Sequence, residues 1–285
     1  MATAPDEAVY NPVLRLASDA WRDGEWRRVE RTTAEEAPVA LVYDGATEAV
    51  MMATPADLED FALGFSLNEG LIATHADVRA MQIAPGVDGI EARIWLTQPR
   101  GAELSARRRT RAGPTGCGLC GVDSLAEANR MRSRIDSSID FKLTAGEVQA
   151  AMASLDAAQP LGEATRAVHA AGFWTPALGL VAVREDVGRH NALDKLAGAL
   201  ARQGVAPAQG VVLLTSRVSV EMVQKVAAMG ATVLIAISAP TALAIRTASA
   251  AGLTLIAVAR RDGFEVFTVP RRILAEPIPH PKLHT

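Results

Sequence analysis

The chain of 285 residues carries two cysteines, Cys117 and Cys120, set in Gly116-Cys117-Gly118-Leu119-Cys120-Gly121 just after Arg107, Arg108, Arg109 and Arg111. Nearby positive charge favours the thiolate, the form of cysteine that attacks sulfur and ligates metal. Glycines on either side leave the backbone open, so a bulky partner can bring a sulfur or a cofactor up to Cys117. Burial as small hydrophobes explains neither the pairing nor the glycines. A structural zinc site needs four ligands. The other two would come from His75, His169, His190, His280 or His284, or from the same loop of a second chain. A thioredoxin-type disulfide uses the same spacing, at the start of a helix that follows a strand. Here Arg107 to Thr115 is basic and turn-like instead. The pair reads as functional thiols, with the metal and disulfide chemistries still open.

A second constellation is Arg184-Glu185-Asp186-Val187-Gly188-Arg189-His190-Asn191-Ala192-Leu193-Asp194-Lys195. Locally, Asp186 can cap a helix, Glu185 can pair with Arg189, and Asp194 and Lys195 can face solvent. As a ligand site, Arg189 and His190 would take anionic groups and a carboxylate, with Asp186 as the candidate, would accept the donor-rich edge of a base. Arg260-Arg261-Asp262-Gly263 adds guanidinium forks and backbone N–H groups suited to phosphate, unless it is a basic surface turn. His169-Ala170-Ala171 invites comparison with zinc deaminases, whose ligand precedes a general-base glutamate by two residues. Ala171 stands in that place, which argues against deamination.

These residues must be positioned by two kinds of structure. Val39 to Tyr43 and Thr47 to Met52 flank Asp44-Gly45 and predict a tight hairpin. Thr54-Pro55-Ala56-Asp57 predicts a helix capped by Thr54, with Leu58, Phe61, Ala62 and Phe65 inward and Gly70 at its end. Met81 to Ala84 and Ile90 to Leu96 predict two further strands, making a small α+β domain over 32–97. Residues 98–125 read as a basic linker and the cysteine loop. Thr144 and Glu147 predict a capping box for a helix with Val148, Met152 and Leu155 inward. Apolar runs at Leu178 to Val183, Val211 to Leu214, Thr232 to Ile237 and Leu253 to Val258 alternate with amphipathic helices. This predicts an α/β core over 126–272, part of its sheet parallel and both faces covered. Ligands bind beyond the carboxyl ends of such strands. Ser216, Arg217, Ser238, Thr241, Arg260 and Arg261 fall there. Residues 1–31 and 273–285 are expected to be tails.

Composition narrows the class. With 29 basic and 32 acidic side chains, the net charge of −3 gives no bulk attraction to nucleic acid or an anionic membrane, so any anion site is local. No apolar run is long enough for membrane insertion. The first twenty residues lack a basic start followed by an apolar run, which points to the cytoplasm and reduced thiols.

Taken together, GCGLCG, REDVGRHNALDK and LTSRVSVEMVQKVAAMG, in that order, resemble the formate dehydrogenase accessory sulfurtransferases, the FdhD/NarQ type of sulfur carrier. Thr54-Pro55, Leu63-Gly64-Phe65 and Glu69-Gly70 match more loosely, and the likeness spans Pro38 to Arg272. It implies a cytidine-deaminase-like layered core with a small N-terminal domain, assembled as a homodimer. It also implies a sulfurtransferase that receives sulfur from a cysteine desulfurase as a cysteine persulfide. The acceptor would be the molybdenum cofactor in its bis(molybdopterin guanine dinucleotide) form, bound transiently before insertion into the formate dehydrogenase catalytic subunit, with GDP as a partial mimic. By position, Cys117 matches the persulfide cysteine and Cys120 its companion. Val258, Ala259, Arg260, Arg261, Asp262 and Gly263 match the cofactor-binding stretch, with Val258 where members often carry an aromatic. A thiol-disulfide oxidoreductase and a noncatalytic cofactor-binding chaperone are the alternatives.

Overall fold

A computed structural model of the chain describes residues 10–98 and 134–274. The hairpin β1 (Val13–Arg22) and β2 (Glu25–Ala34) comes first, followed by β3 (Ala37–Tyr43), β4 (Ala46–Ala53), α1 (Leu58–Asn68), β5 (Val78–Gly86) and β6 (Gly89–Leu96). The strands β4-β3-β6-β5 form a four-stranded sheet, antiparallel except for β3 beside β6. Asp44 and Gly45 take positive φ of 46° and 85°, as a tight two-residue hairpin turn requires. Phe61, Leu63, Leu41 and Ile94 are fully enclosed between α1 and this sheet.

The second part begins with β7 (Leu143–Thr144), α2 (Ala145–Asp156), α3 (Pro160–Thr165), β8 (His169–Thr175), β9 (Gly179–Asp186) and α4 (Arg189–Gln203). It continues with β10 (Val211–Leu214), α5 (Val220–Ala228), β11 (Val233–Ala236), α6 (Ala242–Ala251), β12 (Thr254–Arg260), β13 (Gly263–Val266) and β14 (Ile273–Leu274). A six-stranded sheet of order β13-β12-β11-β10-β8-β9 runs through it, with β10, β11 and β12 parallel and the rest antiparallel. Each buried strand alternates between two cores. Val212, Leu214 and Leu234 face α4, α5 and α6. Val211, Leu213 and Val233 face α2. The expected partly parallel sheet covered on both faces is therefore present. The predicted capping box is also formed, with Thr144 Oγ1 accepting from Glu147 N and Glu147 Oε2 from Thr144 N.

The two parts pack along α1 and α4. Gly64 and Gly198 allow this approach, because a Cβ on Gly64 would strike the Asp194 carbonyl and one on Gly198 the Asp60 carbonyl. Asp60 then accepts from Arg184 on β9 (2.6 and 2.8 Å) and Arg202 on α4 (2.9 Å).

Two sequence expectations give way. Residues 13–31 are not a tail but most of the β1–β2 hairpin, whose side chains are exposed on both faces and so carry no period to read. Thr54 does not cap α1: that helix starts later, behind Asp57 in a left-handed conformation (φ 52°) with no side-chain cap. Thr54 is instead buried against the second part. Cys117, Cys120 and the linker from residue 99 onward lie outside the described residues.

Candidate functional site at the sheet edge

The segment from Arg184 to Lys195 crosses the end of β9 and enters α4. Asp186 is fully buried, and both its oxygens are engaged. Oδ1 accepts from Gly188 N (2.7 Å) and Asn191 Nδ2 (3.0 Å). Oδ2 accepts from Thr54 N (3.0 Å) and sits 2.7 Å from Lys195 Nζ, itself fully enclosed. Lys195 also donates to Thr54 O (2.9 Å), Val187 N donates to Thr54 Oγ1 (3.0 Å), and Asn191 donates to Met52 O (2.9 Å). Glu185 accepts from Leu161 N and Gly162 N at the start of α3 and does not pair with Arg189. Asp194 accepts from Asn68 and Lys225 rather than facing solvent. This corrects the sequence reading of Asp186 as a carboxylate open to a base, since no oxygen is left to receive one. Its work is to hold the first turn of α4 and the Thr54 strand end together.

Arg189 and His190 turn the other way. His169 opens β8 directly opposite Asp186. Across the edge, α5 brings Glu221, whose Oε2 lies 3.8 Å from His190 Nε2 and accepts from Ser219 Oγ at 2.5 Å. Burial works against ionising Glu221, but the His190 imidazole and the Ser219 hydroxyl outweigh it and hold the carboxyl at about 2. Burial, and then the neighbouring Arg217 guanidinium, push Arg189 below its ordinary value. Burial and Arg189 do the same to His169. The Arg189 and Arg217 guanidinium groups and the His169 and His190 imidazoles thus gather here, with the Glu221 carboxylate beside Arg189 and His190. Arg189 Nε and His190 Nε2 are buried without a hydrogen-bond partner among the described residues. Buried donors left unpaired cost stability, and an anion is the ligand that would satisfy them.

The neighbouring loops extend this edge. Ser216 is buried and donates to Arg217 O (3.0 Å), which shapes the turn after β10. Val218 N donates to Ala239 O and Thr241 N to Val218 O, tying the ends of β10 and β11 together. Thr241 Oγ1 caps α6 through Ala244 N, while Ser238 O accepts from Val258 N on β12. Val258 holds φ 51°, a strained value for a β-branched residue, within a bulge between Ala257 and Arg260. The bulge delivers Ala259, Arg260 and Arg261 to a cleft of about 650 Å³ against α2, floored by Met152 and Ile237 and rimmed by Asp156. Arg261 and Asp262 make the exposed turn beyond it, and Gly263 opens β13. The structure therefore gathers Arg189, His190, Ser216 and Arg217 at one part of the sheet edge. Arg260 and Arg261 lie on the opposite face, linked through Ser238.

Sequence reasoning missed Glu221 and Thr54. Glu221 had a signal, a serine two residues earlier at a helix start, where side chains and backbone N–H groups compete for carboxylates. Thr54 had none, because its partner Asp186 is 132 residues away in the chain.

Fold and edge together define a class: an α/β protein whose strand ends carry buried nitrogens, Arg189 Nε and His190 Nε2, without a hydrogen-bond partner among the described residues. The FdhD/NarQ family model matches residues 34–274, and the chain belongs to that family. It is similar to the "Sulfur carrier protein FdhD" of Agrobacterium fabrum, at 51% identity over 94% of this chain and 97% of that one. The proteins of the same name from Brucella abortus (51%; 90% of this chain, 94% of that one) and Cupriavidus necator (49%; 92% and 90%) are comparably similar. Among solved structures, a formate dehydrogenase accessory protein from Desulfotalea psychrophila superposes with a TM-score of 0.73 at 26% identity, over 93% of this chain and all of the other.

Proposed function

We propose that the chain is a sulfur carrier in formate dehydrogenase maturation. The observation that supports this most directly is its identity of about half, over nearly its whole length, with proteins named as sulfur carriers. In this reading the Cys117 thiolate attacks the terminal sulfur of a cysteine desulfurase persulfide. A Cys117 persulfide forms and the desulfurase thiolate leaves. Cys120 then either takes the terminal sulfur as a relay or attacks Cys117. The second route forms a Cys117–Cys120 disulfide, releases the terminal sulfur as hydrosulfide, and needs an external dithiol to reset the pair. The acceptor is the molybdenum cofactor carrying guanine dinucleotides, a polyanionic substrate. Its phosphates suit Arg189, Arg217, Arg260 and the unpaired His190 nitrogen. The deaminase-like layering and the homodimer belong to the same proposal.

Intact mass after incubation with a cysteine desulfurase and cysteine tests the carrier step. Added sulfur should appear on the wild type, vanish in Cys117→Ala and persist in part in Cys120→Ala. Full formate dehydrogenase maturation by Cys117→Ala would overturn it. Calorimetric titration tests the acceptor site: GDP should bind more tightly than ADP, and Arg260→Ala should weaken GDP roughly thirtyfold, as expected for one lost charge-assisted contact. With Asp186 occupied, the guanine preference has to come from another acceptor, and equal affinity for both nucleotides would remove it.

A further inference from the structure

Arg272 repeats half of an arrangement that Arg184 completes. Arg184 donates through Nη1 to a backbone carbonyl, that of Val183 (2.7 Å), and through Nε and Nη2 to the Asp60 carboxylate. Arg272 lies in the 3-10 turn Pro270–Arg272 before β14 and is only 3% exposed. Its Nη1 donates to Gly252 O (2.8 Å) and Thr254 Oγ1 (3.1 Å). The Nε–Nη2 edge remains, and its Nε is buried with no hydrogen-bond partner among the described residues. That planar fork is the one that grips carboxylate and phosphate oxygens in pairs. Burial, and then the adjoining Arg271 guanidinium, push Arg272 below its ordinary value, two costs that an anion would relieve. An enclosed donor without an acceptor adds a third.

Arg272 lines a pocket of about 340 Å³ together with Ser137, Ser138, Asp140, Lys142 and Arg271. Lys142 and Asp140 pair with each other at 2.9 Å, which leaves the charges of the two arginines unbalanced. Gly252 and Thr254, which Arg272 holds, mark the amino end of β12. Arg260 closes the carboxyl end of that strand, roughly 20 Å away at about 3.3 Å per residue. The pocket is therefore separate from the sheet edge and from the cleft beside Arg260. We infer that it is a second anion site, built for a phosphate dianion, either free or as the monoester end of a small molecule. The two excess positive charges match a dianion, the Nε–Nη2 fork takes two of its oxygens, and the Ser137 and Ser138 hydroxyls add neutral donors. The site stands independently of the sulfur-carrier reading.

Calorimetric titration with inorganic phosphate, in full-length protein carrying Arg189→Ala and Arg260→Ala, takes the other anion positions out of the measurement. Phosphate should still bind, at one site per chain. Adding Arg272→Lys, which keeps the charge but loses the fork, should weaken it roughly thirtyfold, as for one lost charge-assisted contact. Adding Arg271→Ala, at an exposed position, should weaken it about fivefold. Glycerol 3-phosphate binding more tightly than phosphate would identify an ester as the source, and equal affinity the free ion. In NMR spectra the Arg272 Nε–H resonance, assigned through its own side-chain carbons, should shift as phosphate saturates. Arg272 also ties its turn to β12, so where Arg272→Lys fails to fold, Arg271→Ala and the resonance decide. No saturable phosphate binding, an Arg271→Ala variant that binds phosphate like its parent, or an Arg272 resonance that stays in place would overturn the proposal.

Discussion

Two regions built from one stretch of chain behave in opposite ways. Asp186, Asn191 and Lys195 face inward, where every polar atom of Asp186 has a partner. Arg189 and His190, on the same first turn of α4, face the open edge and keep buried nitrogens unpaired. A helical turn separates the two sets by direction, not by distance along the sequence. Saturated polar groups fix geometry, whereas unsaturated ones are held ready for something that arrives. The inward set would be expected to govern stability and the outward set ligand affinity, and substitutions can test that division.

The largest effect should come from Lys195→Met. It leaves the Asp186 carboxylate enclosed without its cation, and breaking a buried pair by removing one partner costs about 3–5 kcal/mol. Chemical denaturation should show this loss, and Lys195→Met combined with Asp186→Asn should lose less, because no charge is then stranded. If the single variant unfolds like wild type, the inward network is not what joins Thr54 to the core. Gly198→Ala comes next, on the same side of the comparison. Its Cβ would strike the Asp60 carbonyl, so α1 and α4 must separate at a cost of about 1–3 kcal/mol, overpacking being relieved only by backbone shifts. An unchanged midpoint would mean the helices can slide freely.

Arg189→Ala crosses to the outward set and should invert the pattern. Stability should stay within about 0.5 kcal/mol of wild type, or rise slightly as Arg217 loses a like-charged neighbour. Affinity for inorganic diphosphate should fall by about 2 kcal/mol, roughly thirtyfold. Titration calorimetry and denaturation on the same preparation separate the two. A variant that lost stability but not affinity would place Arg189 with the inward set.

How much of this was legible in the sequence follows the same division. Strands β10, β11 and β12, the helix face of Leu193, Leu196 and Leu200, the Asp44-Gly45 turn and the Thr144–Glu147 box were readable because apolar period and local hydrogen-bond chemistry are written within a few residues of one another. The sheet edge was readable as a place, since polar residues after buried strands have few other locations. The direction each side chain takes there was not. Asp186 and Arg189 are three apart in a polar run, and only the arrival of Thr54 from another sheet makes one of them structural. The β1–β2 hairpin escaped for a different reason: a strand pair exposed on both faces has no inward side for a pattern to record.

The smallest effect expected is the most discriminating, because it probes the carboxylate that stands beside Arg189 and His190 on the open edge. Glu221 is held at about 2 in the folded chain, below the ordinary glutamate value of 4.5. A carboxyl depressed on folding contributes stability that is fully present above its unfolded value and disappears as pH falls through its folded value. The difference between wild type and Glu221→Gln should therefore be constant above about pH 5 and shrink between roughly pH 4.5 and 2. At neutral pH the variant should be slightly less stable yet bind diphosphate more tightly, because removing the negative charge leaves Arg189, Arg217 and His190 with less competition for an anion. A variant that bound diphosphate less well would make Glu221 a ligand-side group, acting through a proton or a bridging cation, and the edge would no longer divide into one saturated and one waiting half.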